Sequence, residues 1–196
     1  MKIICKVHSG LCNRLIPFIT SMNLAKDLNS EYYLYWDDEC QDLLYEYKGE
    51  KTKYNHLFEL MDNINYINNE QFNKFLNYND SKLIINFNTE FKYNKKDLLN
   101  YKCIIFNNYY YPIYLENDLI TFKNYSENFN FNQSWHQKIN TTFNNLKLKN
   151  ILSNKIIKFN NSELIGIHLR HNETKWAERN NVNEFNYLKI LIKKMY

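Results

Sequence analysis

The sequence predicts an α/β layered fold, and three observations predict it. Short apolar, β-prone runs recur along the 196-residue chain as KIICKVH (2–8), EYYLYW (31–36), KLIINF (82–87) and CIIFNNYYY (103–111). Stretches with apolar residues at helical spacing lie between them. The first strand, helix and strand are complete within about forty residues, an ordinary size for a βαβ unit, whose crossover helix returns the chain to a parallel neighbour.

Residues 2–8 read as a short buried strand, after which Leu15, Phe18, Ile19, Met22, Ala25 and Leu28 recur at helical spacing. Asn13 is a good N-cap for that helix, which is therefore expected to begin near Asn13 or Arg14. Pro17 then falls in or next to the first turn, where a missing N–H costs little. EYYLYW supplies the second parallel strand. Weaker alternation predicts a helix near 56–62, a strand INYIN at 64–68, a helix near 70–76, and strands at 82–87 and 103–111. Residues 134–160 have a helical pattern, with Ser134 or Asn132 available as a cap. ELIGIHLRH (163–171) is the next strong strand and 182–195 the next helix. A first domain is thus expected over 1–160. The span 161–196 holds one further strand and helix, and since a single βα unit does not bury both faces of its strand, it either joins the first sheet or is the first strand and helix of a second domain.

Hydrophobic residues make up 44% and aromatic residues 17%, enough to bury a core. The net charge of +4 is carried by Lys dispersed along the chain, a distribution that argues against a nucleic-acid patch. Cys5, Cys12, Cys40 and Cys103 form no CxxC pair and have no His at metal spacing, and Cys5 and Cys103 sit inside apolar runs. They read as reduced, mostly buried thiols of a cytoplasmic protein with no metal site. The N-terminal apolar run is too short for a signal peptide, and no window approaches a membrane span.

Two segments have the make-up of a site. In ELIGIHLRH, Ile165, Ile167 and Leu169 point one way while Gly166, His168 and Arg170 point the other. His168 and Arg170 fall at the carboxyl end, the edge where open α/β sheets take ligands, and an arginine fork can hold a diphosphate. A strand emerging into solvent, with a solvated Arg and a satisfied His, is the alternative. In HSGLCNRLIPF (8–18), Gly10 permits close backbone approach, and the helix start near Asn13 and Arg14 offers free N–H groups and the positive dipole end. The plainer reading there is a capped helix with a surface Arg. Asp37 and Asp38, after the second strand, could serve as a base or an acceptor-binding pair, and a solvated turn is the favoured reading. His8 ends the first strand, either structural or facing the same cleft.

GLCNRLIPFITSMNLAKDLNSEYYLYW (10–36) resembles the start of the fucosyltransferase-like glycosyltransferases, the group of α1,6-, α1,2- and protein O-fucosyltransferases. There a G-x-G-N-R-L type turn opens a helix followed by a W-terminated strand. IGIHLRHNE (165–173) resembles their later H-x-R-R-x-D type strand, in the same order. The resemblance implies a GT-B architecture of two Rossmann-like, three-layer domains facing across a cleft. This chain would hold the N-terminal half and only the start of the second domain. It implies GDP-fucose or a related GDP-sugar as donor, a glycan or protein as acceptor, and neither metal nor other cofactor. Arg170 would correspond to the arginine that neutralises the diphosphate leaving group, and His168 to the histidine on the same strand. Gly10, Asn13 and Arg14 would correspond to the N-terminal loop lining the cleft. The implied reaction is an inverting displacement helped by a preorganised cation. Cys12 stands where the family often has a second Gly, His171 replaces the second Arg of many members, and Glu173 lies near the acidic position. The chain stops at Tyr196, short of the roughly 100 residues or more that a second nucleotide-binding domain needs, as expected of a truncated reading frame. A non-catalytic α/β remnant or binding module is the alternative.

Overall fold

The computed structural model describes residues 1–8, 11–37, 46–47, 50–51, 53–86, 91–107, 113–116, 118–122 and 133–150. The chain divides into two compact units, Met1–Ile156 and Ile157–Tyr196. The second unit, with the predicted strand 163–171 and helix 182–195, lies outside the described residues. In chain order the elements are β1 (Lys2–Val7), α1 (Leu11–Asp27), β2 (Glu31–Trp36), β3 (Glu46–Tyr47), β4 (Glu50–Lys51), α2 (Tyr54–Leu57), β5 (Asn65–Tyr66) and α3 (Asn69–Leu76). There follow β6 (Lys82–Asn86), β7 (Phe91–Asn94), α4 (Lys95–Leu98), β8 (Cys103–Asn107), β9 (Ile113–Glu116), β10 (Leu119–Phe122) and α5 (Gln133–Asn144).

The centre is a five-stranded sheet in the order β5-β2-β1-β8-β6, every neighbouring pair parallel. All five carboxyl ends therefore share one edge. The chain runs outward from β1 through β2 to β5, then resumes on the other side of β1, so the strand order reverses between β1 and β8. That reversal is the switch point at which such sheets form a crevice.

The two faces pack separately. Cys5, Val7, Leu34, Trp36 and Phe106 share one core with Phe18 and Met22 of α1. Ile4, Tyr35, Cys103 and Ile105 share the other with Phe72 of α3. Burial on both faces explains the nearly unbroken apolar runs in β1 and β8. The fold is α/β, as the sequence predicts.

Helix α1 begins at Leu11, earlier than predicted, so Asn13 lies in its first turn and is not the N-cap, and Pro17 is interior. The first turn is tied to the end of β1 by a tertiary contact, the Arg14 guanidinium bonding the Val7 carbonyl, which a capping rule does not see. Pro17 removes the N–H that would reach the Asn13 carbonyl. The buried Thr20 and Ser21 next to it are satisfied locally, their hydroxyls donating to the Ile16 and Pro17 carbonyls. The helix ends in a Schellman arrangement, Ser30 N–H to the Ala25 carbonyl at 2.9 Å and Asn29 N–H to the Lys26 carbonyl at 3.1 Å, with Asn29 at φ 47°.

The helix predicted at 56–62 is a single turn, α2, because Phe58 leaves it in an extended conformation and bridges Leu148. The strand predicted at 64–68 pairs over two residues only. Helix α3 forms where expected, with a reciprocal box in which Asn68 Oδ1 accepts from Gln71 N–H at 2.9 Å and Gln71 Oε1 from Asn68 N–H at 3.0 Å. Strands β6 and β8 also begin where expected. A small antiparallel sheet, β7-β10-β9, is not anticipated by the sequence; its Ile113 and Ile120 join the α1-side core. Helix α5 starts at Gln133, so Ser134 is inside it and does not cap it, and Asn132 lies outside the described residues. It stops at Asn144, residues 145–149 are not helical, and 151–160 lie outside the described residues. Lys138 of α5 pairs with Asp27 at 2.9 Å and Thr142 donates to Asn23 at 3.0 Å, holding α5 against α1.

Candidate functional site at the carboxyl edge of the sheet

Where β1 ends, one backbone carbonyl collects three elements. Val7 C=O accepts the Asp37 N–H at 2.9 Å and Arg14 Nη1–H at 3.2 Å, so the end of β2 and the start of α1 meet on the end of β1. Arg14 is wholly buried, with its guanidinium 4.9 Å from the centre of the Trp36 ring. A buried guanidinium needs acceptors and a polarisable neighbour, and the carbonyl, which receives Nη1, and the indole face are two of the partners it has. The surface Arg of the plainer sequence reading is thereby corrected.

Asp37 is corrected too: it is buried, not a solvated turn residue. Its Oδ2 lies 3.0 Å from Lys6 Nζ and its Oδ1 accepts the Tyr35 hydroxyl at 3.3 Å. Lys6 lies over the rings of Tyr35 and Phe72, 5.4 and 5.7 Å from their centroids. In register, Lys6 faces Asn107, which faces Asn86, and Asn107 Nδ2 donates to Asn86 Oδ1 at 3.2 Å. A row of polar residues therefore crosses the switch point at the last layer of strands that are otherwise apolar. Sequence reasoning missed Lys6, Asn86 and Asn107; the signal was there, a polar residue at or near the end of each of three apolar runs.

Of the residues the sequence singled out, Arg14, Asp37 and the half-buried His8 come together at this edge. Asn13 is exposed on the first turn of α1. Gly10, Asp38, His168 and Arg170 lie outside the described residues.

Beside this edge a cleft of about 620 Å³ opens over the carboxyl ends of β2 and β5. Leu34, Tyr35, Trp36, Tyr66 and Ile67 form its floor and Tyr54 of α2 one side. Lys53, Asn55 and Leu60 rim it on the α2 side, and Asn68, Asn69 and Glu70 at the start of α3. The Tyr54 ring is locked 5.5 Å from Trp36 and 5.1 Å from Tyr66. Its buried hydroxyl meets no hydrogen-bond acceptor in good geometry, whereas that of Tyr66 accepts Met61 N–H at 3.1 Å. Burial raises the Tyr54 phenol far above its ordinary pKa, with the Tyr66 phenol adding to the shift.

Cys5 and Cys103 are buried free thiols. Burial pushes both up to about 11, in Cys5 against the opposing pull of the Ser21 and Tyr32 hydroxyls, so neither is a nucleophile near neutral pH. Among the described residues no three His, Cys, Asp or Glu gather as metal ligands, and no helix is long and apolar enough to cross a membrane. Compared with models of protein families, with curated proteins and with solved structures, the chain matches none.

Proposed function

We propose that the chain forms the N-terminal, Rossmann-like part of a GT-B glycosyltransferase, which moves fucose or a related sugar from a GDP-sugar to a hydroxyl of a glycan or protein acceptor. One observation carries the reading. Most of the segment that resembles the fucosyltransferase-like enzymes is α1 and β2, which start and end at the carboxyl edge of the sheet beside the end of β1 and are joined there through Arg14 and Trp36. This is the edge at which open α/β sheets take ligands.

In this reading the acceptor oxygen attacks the anomeric carbon, the bond from that carbon to the diphosphate breaks, and GDP leaves with the electron pair while the acceptor proton passes to a general base. Arg170 neutralises the charge growing on the diphosphate and His168 lies beside it on the same strand. Gly10 and Asn13 line the cleft, and Arg14, being wholly buried, acts as a positioning residue for that loop. The free, buried Cys5 and Cys103 support a reducing, cytoplasmic setting.

The test is calorimetric titration of GDP into a chain that carries these 196 residues together with a complete second domain, and into its Arg170→Ala variant. The wild-type chain is expected to bind GDP and the variant to bind about tenfold or more weakly, the loss of charge-assisted hydrogen bonds to phosphate. Absence of GDP binding, or binding indifferent to Arg170, overturns the reading in favour of a non-catalytic α/β module.

A further inference from the structure

We propose that α2 is a lid over the Trp36 ring, hinged at Phe58 and latched by Tyr54, that opens while the sheet stays folded. The helix is one turn, Tyr54–Leu57, with Lys53 and Phe58 extended on either side of it. A single turn makes too few hydrogen bonds to hold itself, so α2 is fixed by what it touches. Of its four residues Tyr54 is the one fully buried. At the amino end Lys53 N–H donates to His56 Nδ1 at 3.2 Å, an exposed bond of small net worth.

The other end is pinned. Glu59 N–H donates to the Lys147 carbonyl at 2.8 Å and Lys149 N–H to the Leu57 carbonyl at 2.9 Å, so two backbone bonds clamp Phe58 opposite Leu148. The Phe58 side chain is buried in the α1-side core, with Leu57 partly buried against it. Motion of the turn is thereby confined to the residues before Phe58.

The latch holds two opposing contributions. The Tyr54 ring lies against Phe18, Trp36, Phe58 and Tyr66, with centroids 5.1–5.8 Å apart, which favours the closed lid. Its hydroxyl is buried with no acceptor in good geometry, and water satisfies that hydroxyl once the lid opens. Burying a ring and desolvating an unmet hydroxyl are of similar size and opposite sign. The cleft of about 620 Å³ gives the ring somewhere to go, since Lys53, Tyr54 and Asn55 all line it. Opening bares Trp36 and Tyr66 beside the Arg14 contact that ties α1 to β1, so this part of the carboxyl edge has a shielded and an exposed form. The motion belongs to the chain without any ligand and does not depend on the transferase reading.

Native-state hydrogen exchange of the isotopically labelled full chain, followed by NMR across low denaturant concentrations, tests the lid. The Phe58 amide bonds the Tyr54 carbonyl at 2.9 Å and is released when the turn leaves its packing and melts. It is expected to exchange at least about a hundredfold faster than the amides of Ile4 and Ile105 in the central strands, with little dependence on denaturant. The Glu59 and Lys149 amides, which hold the hinge, are expected to stay protected about tenfold or more beyond Phe58. Tyr54→Phe removes the unmet hydroxyl and keeps the ring, so it is expected to slow exchange at Phe58 about tenfold. Three results each overturn the proposal: Phe58 exchanging only with the central strands, Glu59 and Lys149 opening along with it, or its exchange unmoved or quickened in Tyr54→Phe.

Discussion

Replacing Lys6 by Met removes an ammonium and keeps most of the aliphatic stem, so it isolates what the charge contributes at the carboxyl edge. In the native chain Lys6 Nζ is 3.0 Å from Asp37 Oδ2, with 19% of the Lys6 side chain and 9% of that of Asp37 exposed. Removing one partner of a buried pair costs about 3–5 kcal/mol, and the partial exposure of Lys6 points to the lower end, about 3 kcal/mol. The lost cation–π contacts over Tyr35 and Phe72 add about 0.5–1 kcal/mol. Urea unfolding of the full chain at neutral pH, followed by circular dichroism, is expected to show the midpoint falling by about 1 M or more at constant slope. Adding Asp37→Asn in the same chain removes the carboxylate that has lost its lysine and is expected to recover most of the loss, which makes the two changes strongly non-additive. A cost below about 1 kcal/mol for Lys6→Met, the range of exposed pairs, or a double variant as unstable as additivity demands, refutes the claim that this pair is buried and coupled.

Two further outcomes follow from the geometry. The Cys5 thiol is raised by burial from 9.0 to about 11, as is that of Cys103, so the folded chain holds these protons while the unfolded chain releases them. Stability is therefore fully present below about pH 9 and is lost as pH rises towards 11, by about 3 kcal/mol for the fully buried Cys5; thermal unfolding scanned from pH 7 to 11 checks this, and a flat profile contradicts it. Asn68→Ala removes the side chain that accepts Gln71 N–H at the start of α3, and a destabilisation of about 1 kcal/mol is expected by chemical denaturation, against almost none for the exposed Asn79→Ala.

Much of the fold is legible where the governing interactions are local. Helix α3 is set by Asn68, Gln71 and the apolar face of Phe72 and Phe75, all within eight residues, and it forms where the pattern places it. Strands β1, β2, β6 and β8 are marked by apolar runs that only a sheet covered on both sides can bury. The opening turn of α1 is less legible because its Arg14 is tied to Val7 on another element, and a capping rule reads only the side chains at the helix end. The β7-β10-β9 sheet is hidden for a similar reason. FKYN, IYLE and LITF are four-residue strands, too short to show a period, and they gain meaning only from one another. Asp37 shows the same divide at the site. A carboxylate after a strand looks alike in sequence whether water or a lysine receives it, and Lys6 on the neighbouring strand settles the matter.

The shared Val7 carbonyl has a dynamic consequence. Because one oxygen receives both the Asp37 amide and the Arg14 guanidinium, the tip of β2 and the first turn of α1 cannot drift apart independently. Whatever displaces one loosens the other's hold. The Asp37 amide proton thus becomes a natural gauge of tension at the switch point. Its exchange with deuterium should be slow in the resting chain, and should quicken when anything pries the opening turn of α1 from the sheet, well before global unfolding.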